Sequence, residues 1–346
     1  MTRPPAVLGW DIGGVNTKVA RLHTGRGDPT LRSTCLPFEV KRNPAALVLS
    51  LAQAARSVGG QPGDLHAVTM TAELSQAFRT KREGVGFVLD ALETAFPDSR
   101  LTVYTVDGSF VAPSRARELP LAVGAANWAA TAALVSRSTP TCVLLDIGTT
   151  SADITPIVNG RVVVQGRTDP ARLVSGELVY TGALRTPVEA VAHQVPLWGG
   201  SAGVAADGFA IMGDVHLWLG RLRPEDYTCP PPDGRRPTHT SAGERLARAV
   251  CGDAEMLDDA AVDAIARALA RAQTDMVARA LERILQRWPS IDTAVVTGLG
   301  DFIAAEAAAT LGLQVVPLSD QLGEAARTAP AAAVAWLLWY SLEPGV

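Results

Sequence analysis

The chain has 346 residues, of which 47% are apolar and 19% are charged, so it is long enough for two domains that each bury a core. Lys and Arg together number 31 and Asp and Glu 35, which gives a net charge of −4 and argues against a nucleic-acid-binding protein, while the mixed and moderate charge excludes an intrinsically disordered one. Lysine is scarce, since all basic residues except Lys18, Lys41 and Lys81 are arginine, and each lysine is therefore a candidate for a site that needs a compact ammonium group.

The first half of the chain begins with three predicted strands, near 6–11, 17–22 and 31–38. A helix is predicted next, opened by Asn43-Pro44 and closed by Gly59-Gly60, because Asn suits the N-cap, Pro the first helical position and Gly the end of a helix. The remaining predicted elements of this half are a strand near 65–71, a helix near 84–96, a strand near 101–106 and a helix near 120–136.

The second half repeats this order and then departs from it. Three strands are predicted at 142–147, 152–158 and 161–166, and a long divergent segment follows, up to about residue 255. Within that segment, residues 229–234 contain three consecutive prolines and cannot form regular structure. The last predicted elements are a long helix from Asp258 to Trp288, a strand at 292–297, a helix at 301–311, a strand at 313–317 and an apolar helix near 329–342.

Both halves thus follow the pattern βββαβαβα, which predicts an α/β fold with two lobes, mixed sheets and a ligand-binding cleft. The clearest sign of a repeat is that an apolar run ending in Asp-Ile-Gly occurs twice, with Asp11 and Asp146 at matching positions. We therefore predict an N-terminal lobe at 1–138 and a C-terminal lobe at 139–346, the second with an insertion at about 168–255.

These repeated turns predict a phosphate and metal site. A strand that ends in Asp and runs into Gly13-Gly14, or into Gly148-Thr149-Thr150, places backbone N–H groups beside a carboxylate. Such N–H groups bind phosphate oxygens, and the carboxylate holds Mg²⁺ directly or through water. A third candidate is the turn that contains Gly298 and Gly300, where a buried strand opens into a helix N-terminus, although an ordinary strand-to-helix turn explains it as well.

The four cysteines lie far apart and no histidine has the spacing of a metal ligand, so we expect neither a disulfide framework nor a zinc site. The most apolar stretch, from Ala329 to Tyr340, is shorter than the roughly 18 residues that suggest a membrane span. We therefore expect a cytoplasmic protein without a membrane partner. Internal packing and a homodimer interface are both open for the aromatic residues of the last helix.

The three turns together resemble the phosphate-1, phosphate-2 and adenosine segments of the actin, sugar-kinase and Hsp70 superfamily, which implies two ribonuclease-H-like lobes. More particularly, the sequence resembles the hydantoinase/oxoprolinase-related proteins linked to tetrahydromethanopterin-dependent one-carbon metabolism. The segments that carry this second resemblance are Met70–Leu74, Thr80–Val85, Ala125–Trp128 and Ser175–Pro187.

The second resemblance implies a transferase of methanofuran-type cofactor biosynthesis. Its reaction joins a pyrophosphate-activated aminomethylfuran to the phenol of a γ-glutamyl tyramine- or tyrosine-type acceptor and releases pyrophosphate. Neutralising the leaving pyrophosphate requires metal and fixed cations, and the phenol must lose a proton. Asp11 and Asp146 are our candidates for Mg²⁺ ligands, and Asp146 and Lys18 also count as catalytic candidates.

The other candidate residues follow from the same chemistry. Glu73 is the candidate general base, with the alternative that it only caps the next helix. Lys81, Arg82 and Arg185 are candidates to clamp pyrophosphate or the glutamyl carboxylate. The candidate phosphate- and substrate-binding residues of the turns are Gly13, Gly14, Asn16, Thr17, Gly148, Thr149, Thr150, Gly298 and Gly300.

Two other functions remain open from the sequence. One is an ATP-dependent small-molecule kinase of the same fold, although the segment around Gly298 is poorer in glycine than is usual in such kinases. The other is a non-enzymatic sensor or scaffold of the pathway, in which a change of Asp11 or Asp146 would leave the chemistry intact.

Overall fold

A computed structural model of the chain describes residues 6–24 and 29–342. The strands are β1 (Val7–Ile12), β2 (Asn16–His23), β3 (Thr30–Pro37), β4 (Leu65–Met70), β5 (Leu101–Tyr104), β6 (Phe110–Val111), β7 (Cys142–Ile147), β8 (Ala152–Val158), β9 (Arg161–Val162), β10 (Leu178–Val179), β11 (Gln194–Leu197), β12 (Gly200–Gly203), β13 (Thr293–Thr297) and β14 (Gln314–Pro317). The α-helices are α1 (Leu47–Ser57), α2 (Lys81–Ala95), α3 (Pro113–Glu118), α4 (Pro120–Val123), α5 (Asn127–Val135), α6 (Asp169–Ser175), α7 (Met212–Trp218), α8 (His239–Arg248), α9 (Asp259–Arg287), α10 (Asp301–Thr310), α11 (Ser319–Leu322) and α12 (Ala329–Leu342).

Most predicted elements are confirmed, and three are corrected. Asn43 and Pro44 open only the 3-10 turn Pro44–Ala46, and α1 begins after it at Leu47. The helix predicted near 120–136 is two helices, because Ala125 adopts a positive φ of 54° and its N–H bonds to the carbonyl of Met70, which breaks the helix between α4 and α5. The strand predicted at 161–166 is only the two-residue β9. The loop at 229–234 is irregular, as its prolines predict.

The chain forms two compact units. The first lies within Met1–Cys142, Thr155–Arg172 and Leu318–Val346, and the second within Val143–Ile154 and Leu173–Pro317. The predicted lobes at 1–138 and 139–346 follow the repeated motif, and their boundary stays a prediction. The two compact units differ from these predicted lobes, because α12 packs on β1 and α5 of the first unit.

The first unit contains a mixed six-stranded sheet in the order β3-β2-β1-β4-β5-β6. Strand β1 is antiparallel to β2 and parallel to β4, so Asp11 lies opposite both Lys18 and Thr69. One face of the sheet packs on α1 and α2 through Trp10 and Ile12. The other face packs on α5 and α12, and because neighbours along a strand point to opposite faces, Asp11 belongs to this second face.

The second unit uses a sheet in the order β10-β8-β7-β13-β14. Strand β7 is buried along its whole length and runs parallel to β13, with Asp146 opposite Thr297. The carboxyl ends of two parallel strands therefore place the Asp146 turn and the Gly298 turn at the same edge of the sheet.

The divergent segment packs its own core in the second unit, where α7 and α8 lie against α9. A buried ion pair holds it together: the Arg245 guanidinium lies 2.7 Å from the Asp214 carboxylate, and both side chains are shielded from solvent. Tyr227 donates its hydroxyl to the same carboxylate at 2.9 Å, and Arg245 also reaches Asp233 in the proline-rich loop at 3.0 Å. These bonds fix α7, which in turn bonds the loop at 184–186 described below.

Candidate functional sites on the two units

In the first unit the Asp-Gly turn presents a buried carboxylate. The Gly13 N–H donates to the Asn16 carbonyl at 2.9 Å, which closes the turn between β1 and β2. Asp11 Oδ2 accepts from Lys18 Nζ at 3.1 Å, because the register of the two strands sets these residues side by side. Asp11 Oδ1 is buried and has no hydrogen-bond partner among the described residues, so it is a ready acceptor for a ligand or ion.

The other candidates in this turn differ in position. Thr17 lies opposite Ile12 rather than opposite Asp11, so its side chain points to the α1–α2 face and away from the Asp11 carboxylate. Asn16 is buried, and within residues 6–24 and 29–342 its Oδ1 has no hydrogen-bond partner. The Gly14 carbonyl accepts from the Val40 N–H at 3.0 Å, which ties the turn to the segment after β3.

A second polar site in the first unit joins residues distant in sequence. Lys81 Nζ, at the start of α2, donates to Glu73 Oε1 at 3.2 Å and to Asp169 Oδ2 at 2.6 Å. We call Glu73, Lys81 and Asp169 the Glu73 cluster. The side chain of Glu73 is fully buried, whereas those of Lys81 and Asp169 are 20% and 17% exposed. The lysine is therefore the part of the cluster that joins the buried carboxylate to the surface.

The alternative that Glu73 caps α2 is wrong. Thr80 is the N-cap, and its hydroxyl accepts from the Glu83 N–H at 3.2 Å. Glu73 instead lies in a single 3-10 turn at the end of β4, against two glycines. A Cβ on Gly84 would stand 2.5 Å from Glu73 Cα, and a Cβ on Gly124 would stand 3.1 Å from Glu73 Oε1. The chain thus leaves just enough room for this carboxylate.

Burial raises the pKa of Glu73 to about 7, although the nearby Lys81 ammonium opposes the shift. Burial alone would lower the pKa of Lys81, but the Glu73 and Asp169 carboxylates outweigh it and raise that pKa. Glu73 is therefore a weak acid near neutral pH, and Lys81 stays an ammonium ion. Perturbed titration of this kind is typical of functional sites.

Arg82 is not part of this cluster. It is exposed, and its guanidinium donates to the carbonyl of Arg117 at 2.9 Å, which links α2 to α3. Of the three lysines, Lys18 and Lys81 lie beside buried carboxylates, whereas Lys41 pairs with Glu39 at 3.3 Å.

In the second unit the turn that follows Asp146 meets the Gly298 turn, which comes from a distant part of the sequence. The Gly148 N–H donates to the Ser151 carbonyl at 2.9 Å and closes the turn between β7 and β8. The Gly300 N–H donates to the Ile147 carbonyl at 2.8 Å. A Cβ on Gly298, whose φ is +94°, would stand 2.6 Å from Asp146 Oδ1. The Gly298 turn therefore lies directly against the Asp146 carboxylate.

The loop that contains Arg185 lies on the same turn. The Arg185 N–H donates to the Thr149 carbonyl at 2.9 Å, and the Ala183 N–H donates to the Gly148 carbonyl at 2.9 Å. A Cβ on Gly182 would stand 2.5 Å from the Thr150 nitrogen, so only glycine permits this approach. The Gly148 turn and the Arg185 loop are both candidate sites from the sequence, and the structure places them in contact.

The buried side-chain amide of Gln273 holds this loop in place, and its role was not predicted from the sequence. Gln273 Nε2, on α9, donates to Thr181 Oγ1 and to the Gly182 carbonyl, both at 2.8 Å. Its Oε1 lies 2.7 Å from His216 Nε2, and burial lowers the pKa of His216 to about 4, so the imidazole is neutral at pH 7 and donates. Gln273 lies 92 residues from Thr181, and no local pattern marks it.

Metal chemistry is compatible with the donors present. In the described part of the chain no cluster of three His, Cys, Asp or Glu side chains could hold a metal ion. Mg²⁺ does not need such a cluster, because it binds through one or two carboxylates together with water and substrate phosphates. The unpartnered Asp11 Oδ1 fits that role. No helix among the described residues is long and apolar enough to cross a membrane.

The fold and these turns define a class, an α/β protein with an Asp-Gly turn at the end of a buried strand in each unit. The chain belongs to the hydantoinase/oxoprolinase family, whose sequence profile matches residues 64–339. A nucleotide-free structure of acetone carboxylase, from work on ATP-dependent acetone carboxylation, shares the fold with a TM-score of 0.55 and 13% identity, over 95% of this chain and 70% of that one.

Two relatives have the same name, (4-{4-[2-(γ-L-glutamylamino)ethyl]phenoxymethyl}furan-2-yl)methanamine synthase. The protein of Methanocaldococcus jannaschii is 33% identical over 340 residues, which is 97% of this chain and 98% of the relative. That of Methanococcus vannielii is 30% identical over 170 residues, which is 49% of this chain and 76% of the relative.

Proposed function

We propose that this protein is a transferase of methanofuran-type cofactor biosynthesis. It joins an aminomethylfuran pyrophosphate to the phenol of a γ-glutamyl tyramine- or tyrosine-type acceptor and releases pyrophosphate. The observation that carries the proposal is the similarity to the M. jannaschii synthase, which extends over nearly the whole length of both chains. Each unit also has a buried carboxylate beside a glycine turn, Asp11 in the first and Asp146 in the second, which supports the proposal.

In this reaction the carbon–oxygen bond between the furan methylene and pyrophosphate breaks, and the electron pair leaves with pyrophosphate. The phenol oxygen forms the new bond to the methylene and loses its proton to a base. Negative charge therefore grows on the leaving group, and fixed donors and cations placed there accelerate the reaction. We assign the N–H groups of each Asp-Gly turn, within its own unit, to phosphate groups, and Arg185 of the second unit to a phosphate or carboxylate group of a substrate.

We assign Asp11, with its unpartnered Oδ1, as a Mg²⁺ ligand, and Asp146 as its counterpart in the second unit. A bound Mg²⁺ supplies neutralisation of the leaving pyrophosphate. Lys18 already pairs with Asp11 Oδ2, so it holds that carboxylate in one orientation and leaves Oδ1 free to bind. Glu73 is the group that we assign as the final acceptor of the phenol proton, because burial places its pKa near neutral pH.

The proposal is tested by incubating the purified protein with the furan pyrophosphate, a γ-glutamyl phenol and Mg²⁺, and measuring pyrophosphate release. We expect release that depends on both substrates. If pyrophosphate is not released but ATP is hydrolysed in the presence of an acceptor, the protein is a kinase and the proposal is wrong.

Replacement of the candidate metal ligand separates an enzyme from a pathway sensor. We expect Asp11→Asn to lower kcat by roughly 100-fold or more, because an electrostatic contact to the leaving group is lost. The matched control is Asp64→Asn, since Asp64 is also a buried carboxylate of the first unit but pairs with Arg21 at 2.7 Å. This control should lose stability and keep its kcat. Full activity in Asp11→Asn would contradict the metal role.

A further inference from the structure

The position of Glu73 raises a problem for its role as a base. Its side chain is fully buried, and its Oε2 has no hydrogen-bond partner in the part of the chain that the structure describes. An acceptor phenol cannot reach such a carboxylate directly. Lys81 can be reached, because its side chain is 20% exposed while its ammonium donates to Glu73 Oε1 at 3.2 Å.

We propose that Lys81 is a catalytic residue that passes the phenol proton of the acceptor to Glu73, and that Asp169 is the positioning residue that holds Lys81 for this transfer. The inference deepens the proposed function and rests on it. It assigns Lys81 to proton transfer rather than to clamping pyrophosphate.

The transfer moves one proton from the phenol to Glu73 in two steps through Lys81. One N–H bond of the Lys81 ammonium breaks, and its proton goes to Glu73 Oε1, which becomes a carboxylic acid. The neutral amine then rotates about its Cε–Nζ bond, so that its lone pair faces the phenol; the phenol O–H bond breaks and its proton goes to Lys81 Nζ, which regenerates the ammonium. The resulting phenolate attacks the furan methylene while pyrophosphate leaves with its electron pair. After product release, Glu73 returns the proton to solvent through Lys81.

The geometry suits this role because an ammonium has three N–H donors. The bonds to Glu73 and Asp169 use two of them, and one N–H remains to meet an acceptor oxygen. A lysine held by two carboxylates cannot swing away, so the donor and acceptor atoms of the transfer stay within hydrogen-bond distance.

Asp169 is itself held in place by its helix. Three residues further along α6, the guanidinium of the buried Arg172 lies 4.1 Å from the ring of the buried Trp128. The same guanidinium reaches Thr155 Oγ1 at 3.5 Å. These contacts fix α6 against α5, and Asp169, at the start of α6, is thereby held where it accepts from Lys81.

The charged groups that face Glu73 among the described residues are Lys81 from α2 and Asp169 from α6. Their effects on the carboxylate are opposite, since the ammonium lowers the pKa of Glu73 and the Asp169 carboxylate raises it. Removing either group must therefore move the titration of Glu73 in a known direction, which makes the relay testable without substrate.

The first experiment compares Lys81→Arg and Lys81→Met with wild type in the pyrophosphate-release assay. Arginine keeps the positive charge but does not give up a proton. We expect both variants to lose at least roughly 100-fold in kcat, as for loss of proton transfer. Lys41→Arg is the control, because Lys41 lies outside the cluster, and it should match wild type. If Lys81→Arg retains wild-type kcat, the relay is wrong.

Acceptors with a more acidic phenol distinguish lost proton transfer from a distorted fold. An acceptor fluorinated at all four free ring positions is largely ionised at neutral pH, so the loss in Lys81→Arg, Glu73→Gln and Asp169→Asn should shrink to less than about 10-fold. An equal loss with all acceptors would overturn the relay. A wild-type enzyme that releases no pyrophosphate from any of these substrates would overturn the proposed function instead.

The second experiment follows the infrared carbonyl band of the Glu73 carboxylic acid as pH changes, with Glu73→Gln to assign the band. We expect a midpoint near 7 in wild type, a higher one in Lys81→Met and a lower one in Asp169→Asn, where Lys81 pairs with Glu73 alone. A band that does not move in either variant would show that the three groups are not coupled, and would overturn the relay.

Discussion

Replacement of Gly298 by alanine tests the packing of the second-unit site most sharply. Gly298 has a φ of +94°, where an L-residue with a side chain is strained by about 1–2 kcal/mol. The added Cβ would also lie 2.3 Å from the Ile147 carbonyl oxygen and 2.6 Å from Asp146 Oδ1. Such an overlap forces a backbone shift that costs about 1–3 kcal/mol more. We therefore expect Gly298→Ala to lose about 2–5 kcal/mol of the free energy of unfolding.

The matched control is Gly312→Ala. Gly312 also has a positive φ, +74°, but no atom lies within 4 Å of the position of its Cβ. The control should therefore show only the strain of about 1–2 kcal/mol, and the difference between the variants measures the overlap at Asp146. At about 2–4 °C for each kcal/mol, that difference is resolved by comparing melting temperatures.

Activity gives a second readout of the same variant. A displaced Asp146 carboxylate should lower kcat by roughly 100-fold, whereas Gly312→Ala should keep the wild-type kcat. The reasoning is refuted if Gly298→Ala is no less stable than Gly312→Ala, or if it turns over at the wild-type rate.

Two further predictions concern stability. Asp214→Asn removes the buried carboxylate that pairs with Arg245 and leaves the guanidinium only Asp233, so it should cost about 3–5 kcal/mol, seen as a lower melting temperature; an unchanged value would show that the buried pair is dispensable. His216, with its pKa near 4, stays neutral in the folded state while the unfolded state binds a proton below about pH 6.5. Stability should therefore fall as pH drops from about 6.5 to 4, and His216→Asn should reduce this fall in melts at pH 7 and 5.

The turns at the ends of β1 and β7 were predictable because their chemistry is local. Asp-Ile-Gly after an apolar run specifies a strand, a buried carboxylate and a tight turn within a few residues. The segment around Arg185 was recognised through family resemblance, and its contact with Thr149 was not foreseen, since the two segments lie on separate stretches of the chain.

Asp169 and Gln273 could not be found in the same way. Asp169 acts on Lys81 across 88 residues, and Gln273 acts on Thr181 across 92, so their roles arise from packing and leave no trace in spacing. The burial of Glu73 was equally hidden, because it depends on two glycines, Gly84 and Gly124, on other elements. The break between α4 and α5 was missed because Ala125, an ordinary helix former, takes a positive φ to bond Met70.

The exposure of Tyr180 was also not predictable from the sequence. From the sequence, Tyr180 is either a core residue or a side chain that stacks on an aromatic substrate; the core position is wrong, since the residue is 58% exposed. Tyr180 follows the buried Leu178 on a short strand at the edge of a sheet, where the second residue beyond is no longer covered.

The central claim is that the phenol oxygen of the acceptor displaces pyrophosphate from the furan methylene. The most direct measurement is mass spectrometry of the product made from an acceptor whose phenol oxygen is ¹⁸O, with the furan pyrophosphate and Mg²⁺ present. We expect an ether that retains the label, together with one released pyrophosphate for each ether formed. The claim is contradicted if no ether forms and the acceptor instead gains a phosphate group when ATP is added.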